Sequence, residues 1–260
     1  MFRNQYDNDL ALWSPQGRLF QVEYAMEAVS LGTAAVGLKN EELAVLVALS
    51  KPSSELSVSL PKIFPIDIHM GISIAGITSD AQLISKYLRT ECLTFRHTYN
   101  SAYPVSRLVT NLGNKMQVNT QGHKFRPFGV GLLLAGYDEM GCHIYQIMPS
   151  ANAFNCKAMA IGARSQGART YLGRYQVLFP TSSKDEIICH GIHAINSAHP
   201  VDEKLNITIG IVGKNQPFKM LSAEECLSYQ EMCKIGDVPQ DRNPNESEID
   251  EASNNQNSNN

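Results

Sequence analysis

One threonine of this chain has a sequence context in which its hydroxyl could act as a nucleophile. Thr33 follows Gly32 and directly precedes an apolar run that predicts a strand, in the stretch LGTAAVGL. A threonine at the first position of a chain attacks carbonyl groups efficiently, because its own free α-amine serves as the base. The chemistry therefore requires that the chain be cut between Gly32 and Thr33.

Two further groups of residues have only part of the pattern that their chemistry needs. Residues 162–169 have the glycine spacing of a phosphate-binding loop, but the lysine and the hydroxyl residue that should follow are missing. Cys189, His190 and His193 lie within one predicted helix, with no fourth ligand at a spacing that suits zinc. We therefore predict no nucleotide site, no metal site and no cofactor.

The stretch SPQGRLFQVEYAMEAV, residues 14–29, predicts a turn followed by a helix with two apolar faces. At about 100° per residue, its apolar side chains fall on two faces. These faces comprise Leu19, Val22, Met26 and Val29, and Phe20, Tyr24, Ala28 and Leu31. A helix on the surface of a monomer needs only one apolar stripe, so the second face requires an explanation.

Composition limits the classes of partner. Charged residues make up 18% of the 260 residues, below the roughly 25% that is typical of soluble domains, which points to buried interfaces. The net charge is −3, and residues 237–260 contain six acidic residues and one arginine. The near-neutral remainder has no broad basic surface for nucleic acid. We predict that residues 237–260 form a disordered acidic tail.

Cysteine usage and the apolar runs bear on the compartment. The six cysteines include no CxxC pair, and we predict that they are reduced thiols of a protein of the cytoplasm and nucleus. The polar start MFRNQYDND does not resemble a signal peptide. The longest apolar run, Leu43–Leu49, is too short to cross a bilayer, so we expect no membrane partner.

The order of predicted elements indicates an α+β fold. After the first helix, four strands, two helices, three strands, two helices, one strand and one helix follow. The predicted strands are Thr33–Leu38, Leu43–Leu49, Lys62–Asp67, Gly71–Ala75, Val130–Ala135, Cys142–Ile147, Phe154–Ala160 and Ile207–Val212. The predicted helices begin near residues 78, 104, 164, 184 and 222. The links between strands are as short as those of hairpins, which favours two antiparallel sheets that pack face to face with helices on the outside. We therefore predict one domain with a four-layer αββα sandwich.

The N-terminal stretch YDNDLALWSPQGRLFQVEYAMEAV closely resembles the signature of proteasome α subunits, the non-catalytic members of a family with the N-terminal-nucleophile hydrolase fold. The resemblance rests on a Tyr-Asp pair, on Ser-Pro-x-Gly-Arg and on Gln-Val-Glu-Tyr-Ala, and it continues through RPFGVGLLLAGYD and AIGARSQGA. It covers roughly residues 4–235 and implies the αββα fold. It also implies a place in the outer ring of the 20S core particle, whose rings stack in the order α-β-β-α.

The same resemblance implies that Thr33 is not catalytic. Catalytic β relatives carry an acidic residue about sixteen positions after the nucleophile, where this chain has Leu49, although Lys62 occupies the position of their lysine. The helix before Thr33 is retained in α subunits, so the α-amine stays in a peptide bond. An active N-terminal-threonine hydrolase, processed at Thr33, is the alternative. A free-standing adaptor or RNA-binding protein is a third hypothesis.

The family also implies sites for gating and docking. The gate cluster carried over by position comprises Tyr6, Asp7, Pro15 and Tyr24. The pocket for the C-terminal tails of activators comprises Lys62, Gly17, Gly32 and Ile77, and Lys62 would bind the tail carboxylate. The helix surface between subunits comprises Leu19, Phe20, Val22, Tyr24 and Met26. Asn8 replaces the arginine that most α subunits have there, which removes a charged contact.

The implied organisation has three parts and several protein partners. Residues 1–17 form the gate arm, residues 18–236 the αββα domain and residues 237–260 the tail. The expected partners are neighbouring α subunits, β-ring subunits, regulatory particles and unfolded polypeptide in transit. A second subunit packed on the first helix would explain the second apolar face of that helix.

Overall fold

Two antiparallel sheets lie face to face in the computed structural model, which describes residues 6–7, 9–10, 12–50, 56–57, 60–122, 124–199 and 206–235. The strands are β1 Ala35–Lys39, β2 Leu43–Leu49, β3 Ile63–Asp67, β4 Met70–Gly76, β5 Val130–Asp138, β6 Gly141–Ile147, β7 Ala153–Cys156, β8 Ala158–Ile161, β9 Ile207–Gly213 and β10 Gln216–Met220. The helices are α1 Phe20–Ser30, α2 Thr78–Tyr99, α3 Val105–Gln121, α4 Ser165–Tyr175, α5 Lys184–Ser197 and α6 Ala223–Ile235, with a 3-10 turn at Phe179–Thr181.

Each sheet has five strands, and every neighbouring pair is antiparallel. The first sheet has the order β10-β9-β2-β1-β8, and the second has the order β3-β4-β5-β6-β7. Helices α4, α5 and α6 pack on the outside of the first sheet, and α2 and α3 on the outside of the second. The predicted four-layer αββα sandwich is confirmed.

Strand β2 lies at the centre of the fold and is buried on both of its faces. Its sequence LAVLVAL is buried at every position, because one face meets helices and the other meets the opposite sheet. Val45 and Val47 pack in the helix-side core, whereas Leu46 and Ala48 pack between the sheets. Alternate side chains of a strand point to opposite faces, so both faces of β2 must be apolar.

Local signals set several helix boundaries. Helix α5 begins with a capping box, in which the Ser183 side chain accepts from the Glu186 N–H and the Glu186 side chain accepts from the Ser183 N–H. Such a box satisfies two backbone donors that the first turn leaves unpaired. Helix α2 ends at Asn100, which has a positive φ of 52°, a conformation that Asn tolerates better than most residues.

Two strand predictions are wrong. The predicted strand Phe154–Ala160 is divided at Lys157 into β7, which pairs with β6, and β8, which pairs with β1 in the other sheet. The predicted strands also omit β10, an edge strand of the first sheet whose sequence QPFKM is mostly exposed. Thr33 lies just before β1 rather than within it.

The prediction that all six cysteines are reduced is also wrong, because Cys189 and Cys233 are joined by a disulfide between α5 and α6. The predicted tail, residues 237–260, lies outside the described residues, as do Asn8 and the start of the predicted arm. Among the helices that the structure describes, none has the length and apolar character needed to span a membrane.

Candidate functional site

A closed turn leads into α1. The Ser14 N–H donates to the Arg18 carbonyl at 2.9 Å, and the Gly17 N–H donates to the Ser14 carbonyl at 2.9 Å. The Ser14 hydroxyl accepts from the Arg18 N–H at 3.0 Å. Pro15 occupies the turn, and Gly17 has a φ of +75°, which glycine adopts without steric cost. These bonds fix the direction in which the chain enters α1.

Helix α1 holds the preceding segment through Asp7. The Tyr24 hydroxyl donates to Asp7 Oδ2 at 3.0 Å, and the Gln21 side-chain amide donates to the Asp7 carbonyl. The hydrogen bond to Asp7 raises the pKa of Tyr24 above its usual value. Of the predicted gate cluster, the structure thus joins Asp7 and Tyr24. Tyr6 is exposed beside Asp7, and Gln21 is a contact that the sequence prediction missed.

An ion pair covers the first turn of α1. The Arg18 Nε donates to Glu23 Oε1 at 2.8 Å, and a second guanidinium nitrogen contacts Glu23 Oε2. The guanidinium carbon lies 4.9 Å from the centre of the Phe20 ring, a cation–π distance. The hydrogen bond from Arg18 lowers the pKa of Glu23. Arg18 therefore connects the turn to the outer face of the helix.

The two faces of α1 differ from the predicted ones. Val22, Ala25 and Val29 are buried against β4 and β5 of the same chain. Met26, predicted on the face of Val22, is 39% exposed, and Tyr24 is 49% exposed. Val22 is only 8% exposed, so it belongs to the subunit's own core. The structure leaves Tyr24 and Met26, with partly buried Leu19 and Phe20, to cover the outer side.

Three residues of the predicted activator pocket lie at one end of the second sheet. The Lys62 carbonyl accepts from the Ile74 N–H at 3.0 Å, which places Lys62 opposite the last part of β4. A Cβ on Gly32 would lie 2.1 Å from the Gly76 nitrogen, so only glycine permits this approach. Ile77, the residue after β4, is 39% exposed. Lys62, Gly32 and Ile77 therefore all lie near the last residues of β4.

Gly17 is not part of that group within one subunit. It precedes α1, whereas Gly32 follows it, and an 11-residue helix is about 16 Å long at 1.5 Å per residue. The pocket formed by a single chain thus lacks its predicted fourth member.

The ammonium of Lys62 is available for an anion. The side chain is half-buried, and burial lowers the pKa of its ammonium from the usual lysine value. Among the described residues, no carboxylate or carbonyl oxygen pairs with the Lys62 ammonium. A half-buried cation without a counter-charge is costly, and an incoming carboxylate would reduce that cost.

The surroundings of Thr33 differ from those that an N-terminal nucleophile needs. Its Oγ1 is buried and has no hydrogen-bond partner among the described residues. Its nitrogen is in the peptide bond to Gly32, whose carbonyl accepts from the Ala163 N–H at 2.6 Å. The Leu49 N–H donates to the Ala34 carbonyl at 3.0 Å, which places the buried, apolar Leu49 beside the residue that follows Thr33.

A buried carboxylate that the sequence prediction missed supports the pocket. Asp80 is 4% exposed and accepts from Arg126 at 2.6 and 2.8 Å and from the Gly129 N–H at 2.9 Å. The Gly129 carbonyl accepts from the Ile77 N–H at 2.9 Å. Burial by itself would raise the pKa of Asp80, but these hydrogen bonds outweigh it and lower the pKa.

In sequence, Asp80 resembles an ordinary first-turn acid that stabilises a helix N-terminus. The sequence alone does not reveal its pairing with Arg126, which lies 46 residues away.

The Cys189, His190 and His193 group is used for packing. Cys189 is bonded to Cys233, and His190 Nδ1 lies 3.0 Å from the Tyr171 hydroxyl. Burial lowers the pKa of both histidines. In the part of the chain that the structure describes, no three potential ligands are grouped for a metal ion.

Comparison with known proteins defines the class of protein. Residues 29–212 match the proteasome subunit family, and residues 6–28 match the N-terminal signature of A-type proteasome subunits. The chain belongs to the proteasome subunit family, and its signature is that of the α-type members. The matched signature contains Asp7 and Tyr24, the two residues that the structure joins by a hydrogen bond.

Individual relatives place the chain more narrowly. It is 61% identical to the alpha type-1 proteasome subunit of Drosophila melanogaster over 249 residues, 94% of this chain and 89% of that protein. It is 47% identical to the alpha type-1 proteasome subunit of Dictyostelium discoideum over 233 residues, 88% of this chain and 94% of that protein. It is 41% identical to the probable alpha type-6 proteasome subunit of Schizosaccharomyces pombe over 240 residues, 91% of this chain and 88% of that protein.

Proposed function

We propose that this chain is a structural, non-catalytic subunit of the outer α ring of the 20S proteasome core, where it helps to form the gated substrate entrance and the activator-docking surface. The observation that carries this proposal is the intact helix α1, whose inner face is buried while Tyr24 and Met26 remain exposed. Such a helix keeps Thr33 internal and offers a second face to a neighbouring subunit.

The gating role is supported by the hydrogen bond between Tyr24 and Asp7. A tyrosine presents a ring that packs and a hydroxyl that bonds, and here the hydroxyl ties the segment before the Pro15 turn to α1. Tyr6 adjoins this contact in sequence. We infer that the cluster of Tyr6, Asp7, Pro15 and Tyr24 stabilises one position of the gate arm at the pore.

The docking role is supported by the Lys62 ammonium, which has no paired oxygen atom among the residues that the structure describes. A terminal carboxylate is a strong acceptor for an ammonium. Gly32, which abuts the backbone of Gly76, and the exposed Ile77 lie near the same end of β4. Because Gly17 lies at the other end of α1, we infer that each complete pocket takes Lys62, Gly32 and Ile77 from one subunit, with the glycine turn supplied by the adjacent one.

The proposed partners follow from these surfaces. The outer face of α1 would contact a neighbouring α subunit, and the ring would stack on the β ring. Regulatory particles would dock at the Lys62 pocket, and unfolded polypeptide would pass the gate. We propose that the particle acts in the cytoplasm and nucleus, in both ubiquitin-dependent and ubiquitin-independent protein degradation.

A native mass spectrum of the endogenous particle tests the proposal most directly. The expected result is a 20S particle that contains this chain with residues 1–32 attached. Loss of those 32 residues would instead indicate processing at Thr33 and an active hydrolase. Recovery of the chain only as a free monomer would indicate an adaptor and would contradict the ring assignment.

A further inference from the structure

A covalent bond joins the last two helices on the outside of the first sheet. Cys189 lies in α5 and Cys233 lies near the end of α6, and the two are joined by a disulfide with a Cα–Cα distance of 5.6 Å and a sequence separation of 44 residues. The remaining cysteines, Cys92, Cys142, Cys156 and Cys226, are free. Nothing in the gating or docking proposal uses this pair.

The first part of α6 has its own non-covalent support. Ser222 and Glu225 cap its start, with the Glu225 carboxylate accepting from the Ser222 N–H at 2.7 Å. The Tyr229 hydroxyl donates to Asp185 Oδ1 of α5 at 2.9 Å. Cys226 is buried in the helix-side core. These contacts hold the helix through Tyr229.

Cys233 lies near the end of α6 and is buried in the helix-side core. Met232 is 45% exposed, whereas Cys233 is 5% exposed and packs in the same core. The bond from Cys233 to Cys189 therefore ties the part of α6 that follows Tyr229 to α5. When this bond is open, the covalent constraint on the end of the helix is lost, and helix ends fray readily.

We propose that Cys189 and Cys233 form a reversible redox site, oxidised by low-molecular-weight disulfides and reduced by dithiols, which clamps the end of α6 onto α5. The geometry carries this inference: two cysteines on adjacent helices lie within the Cα separation that a disulfide requires. In compartments where thiols are kept reduced, such disulfides are usually transient. The proposed site shares no residue with the gate cluster or the activator pocket, and its test rests on the particle of the proposed function.

The exchange chemistry balances in two steps. Cys189 is half-buried and Cys233 is buried, so the Cys189 thiolate attacks the low-molecular-weight disulfide first and releases one thiolate. The Cys233 thiolate then attacks the Cys189 sulfur of the mixed disulfide and releases the second. Two protein thiols lose two electrons and two protons, and one small disulfide becomes two thiols.

Cys226 provides a matched control in the same helix. It lies seven residues before Cys233, about two helical turns, and is buried in the same core. Cys226 is a free thiol, so its replacement leaves the proposed site intact.

The test uses the assembled particle containing the full chain, treated with glutathione disulfide or with dithiothreitol. After the oxidising treatment, peptide mapping is expected to show Cys189 linked to Cys233, with a mass about 2 Da lower than the reduced form. Hydrogen exchange of residues 230–235 is expected to be about tenfold slower in the oxidised particle. Cys189→Ser should abolish both effects, and Cys226→Ser should retain both.

Several outcomes would overturn the inference. Both thiols could still react with N-ethylmaleimide after treatment with glutathione disulfide. Alternatively, a glutathione adduct could persist on Cys189 without displacement by Cys233. Residues 230–235 could show the same hydrogen exchange in the disulfide-linked form as in the reduced form, which would exclude a clamp. A bond that dithiothreitol does not open in the folded particle would be a permanent crosslink rather than a reversible site.

Discussion

The Tyr24 hydroxyl donates a hydrogen bond to Asp7 Oδ2 at 3.0 Å, across 17 residues of sequence. Gln21, one turn earlier on the same helix, donates to the carbonyl of Asp7. Two side chains of α1 therefore hold one residue of the preceding segment at both its side chain and its backbone. This arrangement makes the position of the arm depend on the position of the helix.

Replacing Tyr24 by phenylalanine should weaken that link without disturbing the ring. The hydroxyl is the only group removed, and the bond is exposed, so we expect little loss of subunit stability. We expect activator-stimulated peptide hydrolysis to fall about two- to tenfold, in line with the loss of a modest hydrogen bond. Tyr99→Phe, at an exposed tyrosine of α2, is the control. Equal stimulation of Tyr24→Phe and wild type would remove Tyr24 from the gate.

Thr33→Ala should leave the peptidase activity of the assembled particle unchanged. The Thr33 nitrogen is in a peptide bond, and its buried hydroxyl has no partner among the described residues. Removing an unsatisfied buried hydroxyl should be neutral or slightly stabilising. The measurement is hydrolysis of a panel of fluorogenic peptides by particles with equal subunit content. Selective loss of one cleavage specificity would contradict the non-catalytic assignment.

Lys62→Ala should weaken binding of an activator tail at the pocket to which Lys62 contributes. A charge-assisted hydrogen bond contributes roughly 1.5–3 kcal/mol, so the affinity should fall about 10- to 150-fold. A single-tail peptide crosslinked to this chain avoids the rebinding that multivalent activators allow. Lys86→Ala, at an exposed lysine of α2, is the matched control. Unchanged labelling at subsaturating peptide would leave Lys62 as a surface charge.

The same assay has a defined pH dependence. Burial lowers the pKa of Lys62 in the free particle, and the tail carboxylate binds the protonated ammonium. The contribution of Lys62 to affinity is therefore complete below that lowered pKa and is lost as the pH rises from it towards the higher pKa of the carboxylate-bound ammonium. In Lys62→Ala, this alkaline loss of affinity should disappear.

Charged substitutions on the two faces of α1 should have different effects. Val22→Asp places a charge in the subunit's own core and should destabilise the isolated chain by several kcal/mol. Met26→Asp leaves that core intact and should reduce ring incorporation, because an unpaired charge in an interface is costly. Thermal unfolding and native electrophoresis separate the two effects. Normal incorporation of the Met26 variant would show that no subunit covers this face.

Asp80→Asn should destabilise the fold and change its response to acid. Burial opposes ionisation of Asp80, but the hydrogen bonds from Arg126 and Gly129 outweigh it and lower its pKa. A carboxyl group whose pKa is lower in the folded than in the unfolded state stabilises the fold at pH values above its unfolded pKa, near 4. This stability is lost as the pH falls through the pKa of the folded state.

We therefore expect Asp80→Asn to lose about 1.5–3 kcal/mol of unfolding free energy at neutral pH. The unfolding free energy of the variant should also fall less steeply than that of the wild type as the pH is lowered. Denaturant titrations at several pH values measure both effects, with Glu41→Gln at an exposed site as the control. An equally steep fall in the variant and the wild type would contradict the role of the Asp80–Arg126 pair.

Local sequence signals were sufficient for elements whose formation depends mainly on their own residues. The strand Leu43–Leu49 has the predicted bounds, because it is a continuous apolar run. The helix predicted to begin near residue 184 begins at Lys184, where a capping box fixes its start. The order of elements was sufficient for the αββα architecture, because short connections leave few ways to bury the apolar faces. The order of motifs in the N-terminal signature was sufficient to identify the family.

Tertiary structure decided which residues meet. The run from Phe154 to Ala160 is locally strand-like throughout, but its two halves pair with different sheets, and a local pattern contains no information about the pairing strand. The Asp80–Arg126 pair and the Cys189–Cys233 bond each join residues more than 40 positions apart. Their partners depend on how the layers stack, which hydrophobic burial across the whole domain determines.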